Sequence, residues 1–329
     1  MHGGIQIEGG EAEIRESLAK RLDGYFVDAP SGNLALVASA TEAIDRGSEP
    51  DEPPFDFRKF PRKQKPDLGA LEFGSTGGEW MQEMKNVHTR FTGSPGTFVQ
   101  IGDSITFSGA FWSPLWSPPK NMTKTVQAQY EVMRKHMKPE CLNQKGPSFG
   151  NQGSMTIRWA QENLTNWLAS LNPEVVVLMF GSNDVGQMEI EEYEQKTRDV
   201  ITKCLANGTI VLLTTPPPQS ARLHKCLQFA GAIRRIAAET KVPLVDYCDE
   251  ILTRRPFDWD GASAEFKTIP GDTYDVPTLI SRDGVHPSNP QSFSNDFSEG
   301  ALSSSGFGLR NYLTMMTYAD VIKAVLQPR

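Results

Sequence analysis

The chain has 329 residues, of which 38% are hydrophobic and 22% charged, and a formal net charge of −7. That acidic balance argues against nucleic acid as the main partner, because phosphate binding needs clustered Lys and Arg. No stretch approaches the roughly 18 apolar residues of a membrane span. The start, Met1-His2-Gly3-Gly4, lacks the basic and apolar regions of a signal peptide, so a cytoplasmic protein or a mature secreted form is expected.

In chain order, residues 1–95 read as an N-terminal extension and residues 96–329 as the main domain. Residues 11–22 can form an amphipathic helix, and 34–44 are rich in apolar side chains. Residues 47–67 carry much Pro and charge, which disfavours regular structure and reads as a linker or surface arm. From residue 97 the pattern turns to strand, loop and helix in alternation. Strands are predicted at 97–101, 174–180, 209–214 and 243–247, with a weak further signal at 140–144. These short runs lack clean alternation, as strands buried on both faces do. Helices are predicted at 123–137, 155–171, 189–206, 224–240 and 309–326. Acids at Glu189, Glu191 and Glu192 suit one helix start, and Asn207-Gly208 suits its end. Strands alternating with helices imply a parallel, doubly wound α/β sheet, whose ligands bind beyond the carboxyl ends of the strands.

Three segments follow strands or close the array: Gly102-Asp103-Ser104, Gly181-Ser182-Asn183-Asp184 and Asp283-Gly284-Val285-His286. Each alone is also what an ordinary turn looks like, but together they supply one chemistry. A serine hydroxyl needs a base to become a nucleophile, and histidine suits that work near neutral pH. Of five histidines, His2 is terminal, His136 sits in a Lys/Arg-rich helix end, and His88 and His224 lack surrounding motifs. His286 stands three residues after a carboxylate, Asp283, which can orient the imidazole by accepting its Nδ1–H. Donors for a tetrahedral oxyanion could come from the Asn183 side chain, the Ser104 N–H and the Gly153 N–H.

The cysteines Cys141, Cys204, Cys226 and Cys248 form no C-x-x-C pair. Buried thiols are therefore expected, with no metal and no cofactor, although a single disulfide stays open. A metallophosphoesterase would need closely spaced His and Asp ligands that this sequence does not offer.

The three segments resemble blocks I, III and V of the SGNH/GDSL hydrolases, over residues 97–326. The resemblance implies a three-layer α/β/α sandwich around a five-stranded parallel sheet. It implies Ser104 as nucleophile, His286 as base and Asp283 as its partner, with Ser104, Gly153 and Asn183 lining the oxyanion hole. Asp184 would then be structural, as would Asp103 in the nucleophile turn. Gly153 answers to the family's second, Gly-centred block, which here holds a single glycine.

Phe107, Phe111, Trp112 and Trp116 follow the nucleophile and either line a substrate pocket or pack the core. Residues 257–277, with Trp259 and Tyr274, could wall the pocket. The polar loops favour a short-acyl ester on a carbohydrate, hence a carbohydrate O-acetyl esterase. A lipase, arylesterase or thioesterase is the alternative within the family, and a non-catalytic carbohydrate-binding module the alternative outside enzymes. The expected partner is a small-molecule or carbohydrate ester, and the sequence does not define an oligomeric state.

Overall fold

A computed structural model describes residues 25–28, 33–36, 40, 43 and 79–326. The chain divides into two compact units, Met1–Thr76 and Gly77–Arg329. In the first, β1 (Phe26–Asp28) pairs antiparallel with β2 (Asn33–Leu36). The helix expected at 11–22, the Pro-rich segment 47–67 and most of the 34–44 stretch lie outside the described residues.

The second unit begins earlier than the residue 96 expected from composition. Its first helix, α1 (Glu79–His88), buries Met84 and Val87 in the core of this unit. Four strands follow: β3 (Phe98–Gly102), β4 (Val175–Met179), β5 (Ile210–Thr214) and β6 (Leu244–Val245). They form one sheet in the order β3-β4-β5-β6, each pair parallel, with Phe98 opposite Val175 and Val175 opposite Ile210. Every residue of β3, β4 and β5 is buried, which is why their sequences run apolar without alternation.

The helices are α2 (Ser104–Phe107), α3 (Lys124–His136), α4 (Ile157–Leu171), α5 (Ile190–Ala206), α6 (Leu223–Thr240), α7 (Tyr247–Arg254), α8 (Glu299–Leu302) and α9 (Gly306–Val321). In one group α4 packs on α5 and α5 on α6; in the other α9 packs on α3, α7 and α8. A π-helical turn, Ile322–Leu326, continues α9 and packs against α1. The Asn207-Gly208 pair ends α5 as expected. Gly208 has φ +81°, and a Cβ there would lie 2.3 Å from the Phe91 backbone nitrogen. The last predicted strand is cut short because Asp246 caps α7, its carboxylate accepting from Asp249 N–H.

The sheet has four strands among the described residues, not five. The weak strand signal at 140–144 falls on a 3-10 turn, Pro139–Leu142, and the two residues after it. Side chains and a loop satisfy the free edge of β3 in its place. Phe98 N–H donates to Cys141 Sγ at 3.4 Å, and Asn151 Nδ2 donates to Gln100 O at 2.9 Å. Gly102 N–H donates to Gly150 O at 3.0 Å, and Gln152 N–H to Gly102 O at 3.2 Å. Buried backbone groups demand partners, and this edge finds them without a fifth strand.

Candidate active site

Strand β3 ends at Gly102, where the chain turns sharply into α2. A Cβ at Gly102 would lie 2.2 Å from Thr106 Oγ1 and 2.5 Å from Met179 O, so only glycine fits. Asp103 is buried and caps α2, its Oδ1 accepting from Ile105 N–H at 3.0 Å. Ser104 is the first residue of that helix, half-buried at the carboxyl end of the sheet.

Its hydroxyl lies 2.9 Å from His286 Nε2. On the other side of the ring, His286 Nδ1 lies 2.7 Å from Asp283 Oδ2. The loop carrying both residues is closed by Ser281 N–H donating to His286 O at 2.8 Å. Asp283 Oδ1 accepts from Ser281 Oγ, Val285 N–H and His286 N–H, each at 2.8 Å. Burial would push this carboxyl up, but the hydrogen bonds led by the His286 ring override it and hold it far below the usual carboxylate range. The Asp283 carboxylate in turn raises the His286 pKa above its ordinary 6.5, against the opposing effect of burial. With Nδ1–H donated to a carboxylate, the neutral ring presents Nε2 as an acceptor toward Ser104.

Gly153 runs beside the serine: a Cβ there would meet only Ser104 Cβ, at 4.0 Å. Asn183 Nδ2 donates to Met155 O at 2.9 Å, and an amide has a second hydrogen to offer. Asp184 ties these parts together. Its Oδ1 accepts from Ile157 N–H at 2.8 Å, the start of α4, and its Oδ2 from Gly181 N–H at 2.9 Å. Burial pushes Asp184 up to about 6 and Asp103 up to about 7.

Of the expected pocket residues, Trp112 belongs to the core, as does Phe111. Both are fully buried, and the Trp112 ring stacks on Phe98 with centroids 4.8 Å apart. Trp112 holds φ +67°, a conformation costing about 1–3 kcal/mol. Burying ~200 Å² of indole at about 25 cal/mol per Å² contributes about 5 kcal/mol, which outweighs that strain. Phe107 and Trp116 are exposed, Trp116 lying under the Arg134 guanidinium at 5.7 Å. Within 257–277, Trp259 is buried, whereas Tyr274 sets its partly exposed ring edge-on to His286, centroids 6.1 Å apart.

Two basic side chains behind Ser104, Arg310 buried and Lys145 half-buried, were not legible as part of the site. Arg310 donates to Ile105 O at 3.0 Å and Thr106 Oγ1 at 2.9 Å, its guanidinium 3.6 Å over the Phe111 ring. Lys145 Nζ donates to Gln100 Oε1 and Thr106 O, both at 2.8 Å, and to Phe111 O at 3.1 Å. Burial lowers Lys145 to about 7 and Arg310 to about 10. Together they take up carbonyls at the end of α2, where cations are favoured. An Arg within an apolar helical run is the only sequence signal for either. Ser281, which supports Asp283, carries none.

Ser104, His286 and Asp283 thus stand in hydrogen-bond series at the carboxyl edge of the parallel sheet. The family model of the GDSL-like lipase/acylhydrolases matches residues 101–290, and the chain belongs to that family, whose members hydrolyse esters. No curated protein sequence matches the chain. Among solved structures, it is similar to the lipase/acylhydrolase from Enterococcus faecalis, at 14% identity over 68% of this chain and 95% of that one, with a TM-score of 0.42. It is also similar to a catalytic mutant of an acetylxylan esterase from Geobacillus stearothermophilus, at 17% identity over 73% and 100%, TM-score 0.42. A third is the psychrotrophic esterase from a Pseudoalteromonas species, at 14% identity over 69% and 97%, TM-score 0.40. No helix among the described residues is long and apolar enough to cross a membrane.

Proposed function

We propose that the protein is a serine esterase that transfers a short acyl group, most simply acetyl, from a carbohydrate ester to water through an acyl-enzyme. The 2.9 Å and 2.7 Å contacts linking Ser104, His286 and Asp283 carry this reading. In it, Ser104 Oγ attacks the ester carbonyl carbon while His286 Nε2 takes the hydroxyl proton. Asp283 stabilises the resulting imidazolium and keeps its orientation. The Ser104 and Gly153 N–H groups and the Asn183 amide receive the oxyanion. When the tetrahedral species collapses, the carbonyl–alkoxy C–O bond breaks and His286 returns its proton to the departing alcohol. Water, deprotonated by the same imidazole, then attacks the acyl-enzyme. The acid leaves and Ser104 is regenerated.

The carbohydrate side of the reading is supported by an open cleft of about 470 Å³ beside the histidine loop, lined by Ser182, Asn183, Gln187, Gln219 and Asp283 among others. These polar side chains, set among Ala221 and Val285, give a hydroxyl-rich alcohol hydrogen-bonding partners. Tyr274 adds a partly exposed aromatic ring next to His286 on which a sugar could stack. The test is a panel of p-nitrophenyl esters of rising acyl length together with acetylated saccharides, with Ser104→Ala as control. The reading expects acetate release from the saccharides and the highest kcat/KM at two to four acyl carbons. Preference for long acyl chains with no acetate release from saccharides would sink it.

A further inference from the structure

The cleft beside the histidine loop holds two charged residues, Asp283 and Arg222. Asp283 is committed: Ser281, Val285 and His286 fill its two oxygens with four hydrogen bonds. Arg222, in the turn that leads into α6, is not. Among the described residues, no carboxylate lies within ion-pair distance of its guanidinium, and no side-chain hydrogen bond ties it down. The residue is exposed, and its guanidinium lies against Gly186. A Cβ at Gly186 would lie 2.3 Å from Arg222 Nη1, so the missing side chain makes room for it. Ser182 and Gln219 line the same cleft and are tied to each other, Gln219 Nε2 donating to Ser182 O at 2.7 Å.

We infer that Arg222 forms a subsite for an anionic group in this cleft, so that the substrate is an ester whose alcohol portion carries a carboxylate or comparable oxyanion. This rests on the ester-hydrolase reading of Ser104 and names its substrate class. A guanidinium presents paired donors that match a carboxylate in two-point contact. The chain as a whole carries a net charge of −7, so its long-range field repels anions. Attraction of an anionic substrate must therefore be local, and Arg222 is the cation in the cleft able to provide it.

The experiment compares acetylated methyl glucuronide with acetylated methyl glucoside, which differ only in the carboxylate at carbon 6. For the wild type, kcat/KM should favour the glucuronide about 10-fold, equivalent to about 1.4 kcal/mol. Arg222→Ala should bring the ratio close to one, Arg222→Glu should invert it, and Arg222→Lys should restore only part of it. Raising the salt concentration should shrink the wild-type ratio. A wild-type ratio near one, or a preference that survives Arg222→Ala, overturns the subsite. Calorimetric binding of unacetylated methyl glucuronide and methyl glucoside to the Ser104→Ala protein reads the subsite without catalysis. If neither ester is hydrolysed but the glucuronide binds tighter in an Arg222-dependent way, the esterase reading fails while the anion subsite stands. Equal binding of the two sugars overturns the subsite whatever the activity.

Discussion

Asp283 Oδ2 sits 2.7 Å from His286 Nδ1, and both side chains project from one loop whose backbone closes on itself at Ser281 and His286. The carboxylate therefore needs no distant element to position it. Its effect on the imidazole is electrostatic as well as geometric, since it raises the His286 pKa above 6.5. A base works only when deprotonated, so wild-type kcat/KM should climb with pH through an acid limb above that ordinary value. Asp283→Asn removes the charge that favours the imidazolium. Its acid limb should move to lower pH, and kcat/KM should fall by roughly 10³–10⁴-fold. A pH–rate profile of both proteins decides this, and an unmoved acid limb in the variant would contradict it.

The Asn183 amide holds Met155 O with one hydrogen and has another to give. Asn183→Ala should lower kcat by about 10²–10³-fold, the typical loss of one oxyanion donor, with little change in KM. Steady-state kinetics on p-nitrophenyl acetate measures the split. A loss confined to KM would place Asn183 in ground-state binding instead.

Asp103 makes stability depend on pH in an unusual direction. Burial raises its carboxyl from 3.8 to about 7, so between those values the folded chain keeps a proton that the unfolded chain releases. Its contribution to stability therefore declines as pH rises through that window. Asp103→Asn removes the titration but keeps an oxygen to cap Ile105 N–H. Relative to wild type, the variant should gain stability from about pH 5 to about pH 8. Thermal unfolding at both pH values checks this, and a difference that does not change with pH would refute it.

Arg310 anchors α2 from the far end of the chain, donating to Ile105 O and Thr106 Oγ1. Arg310→Met keeps the volume but leaves the Ile105 carbonyl without that donor. The loss should be about 2–4 kcal/mol by denaturant unfolding. Stability equal to wild type would show that the clamp is dispensable.

Much of the second unit is legible in the sequence because its signals are local. The runs that become β3, β4 and β5 are apolar since both their faces are buried, and Asp283 and His286 share one turn, so their spacing alone pairs them. That Ser104 and Asn183 share one edge follows from their places after β3 and β4 of a parallel sheet, whereas no strand precedes His286. What escapes is non-local. The missing fifth strand is replaced by Cys141 Sγ, Asn151 Nδ2 and the Gly150–Gln152 backbone bonding to β3, and no strand pattern marks side-chain substitution. Lys145 and Arg310 meet α2 from positions distant in sequence. Trp112 reads like a pocket aromatic by its nearness to Ser104, yet its positive φ turns the ring into the core.

The central claim is that Ser104 is a nucleophile activated by His286, and covalent labelling tests it most directly. After treatment with a fluorophosphonate, mass analysis of the digested wild-type protein should place one adduct on the peptide containing Ser104. His286→Ala should slow that reaction by orders of magnitude, and Ser104→Ala should abolish both the adduct and ester hydrolysis. Ester hydrolysis that persists at the wild-type rate in Ser104→Ala, or an adduct on another residue, would contradict the account.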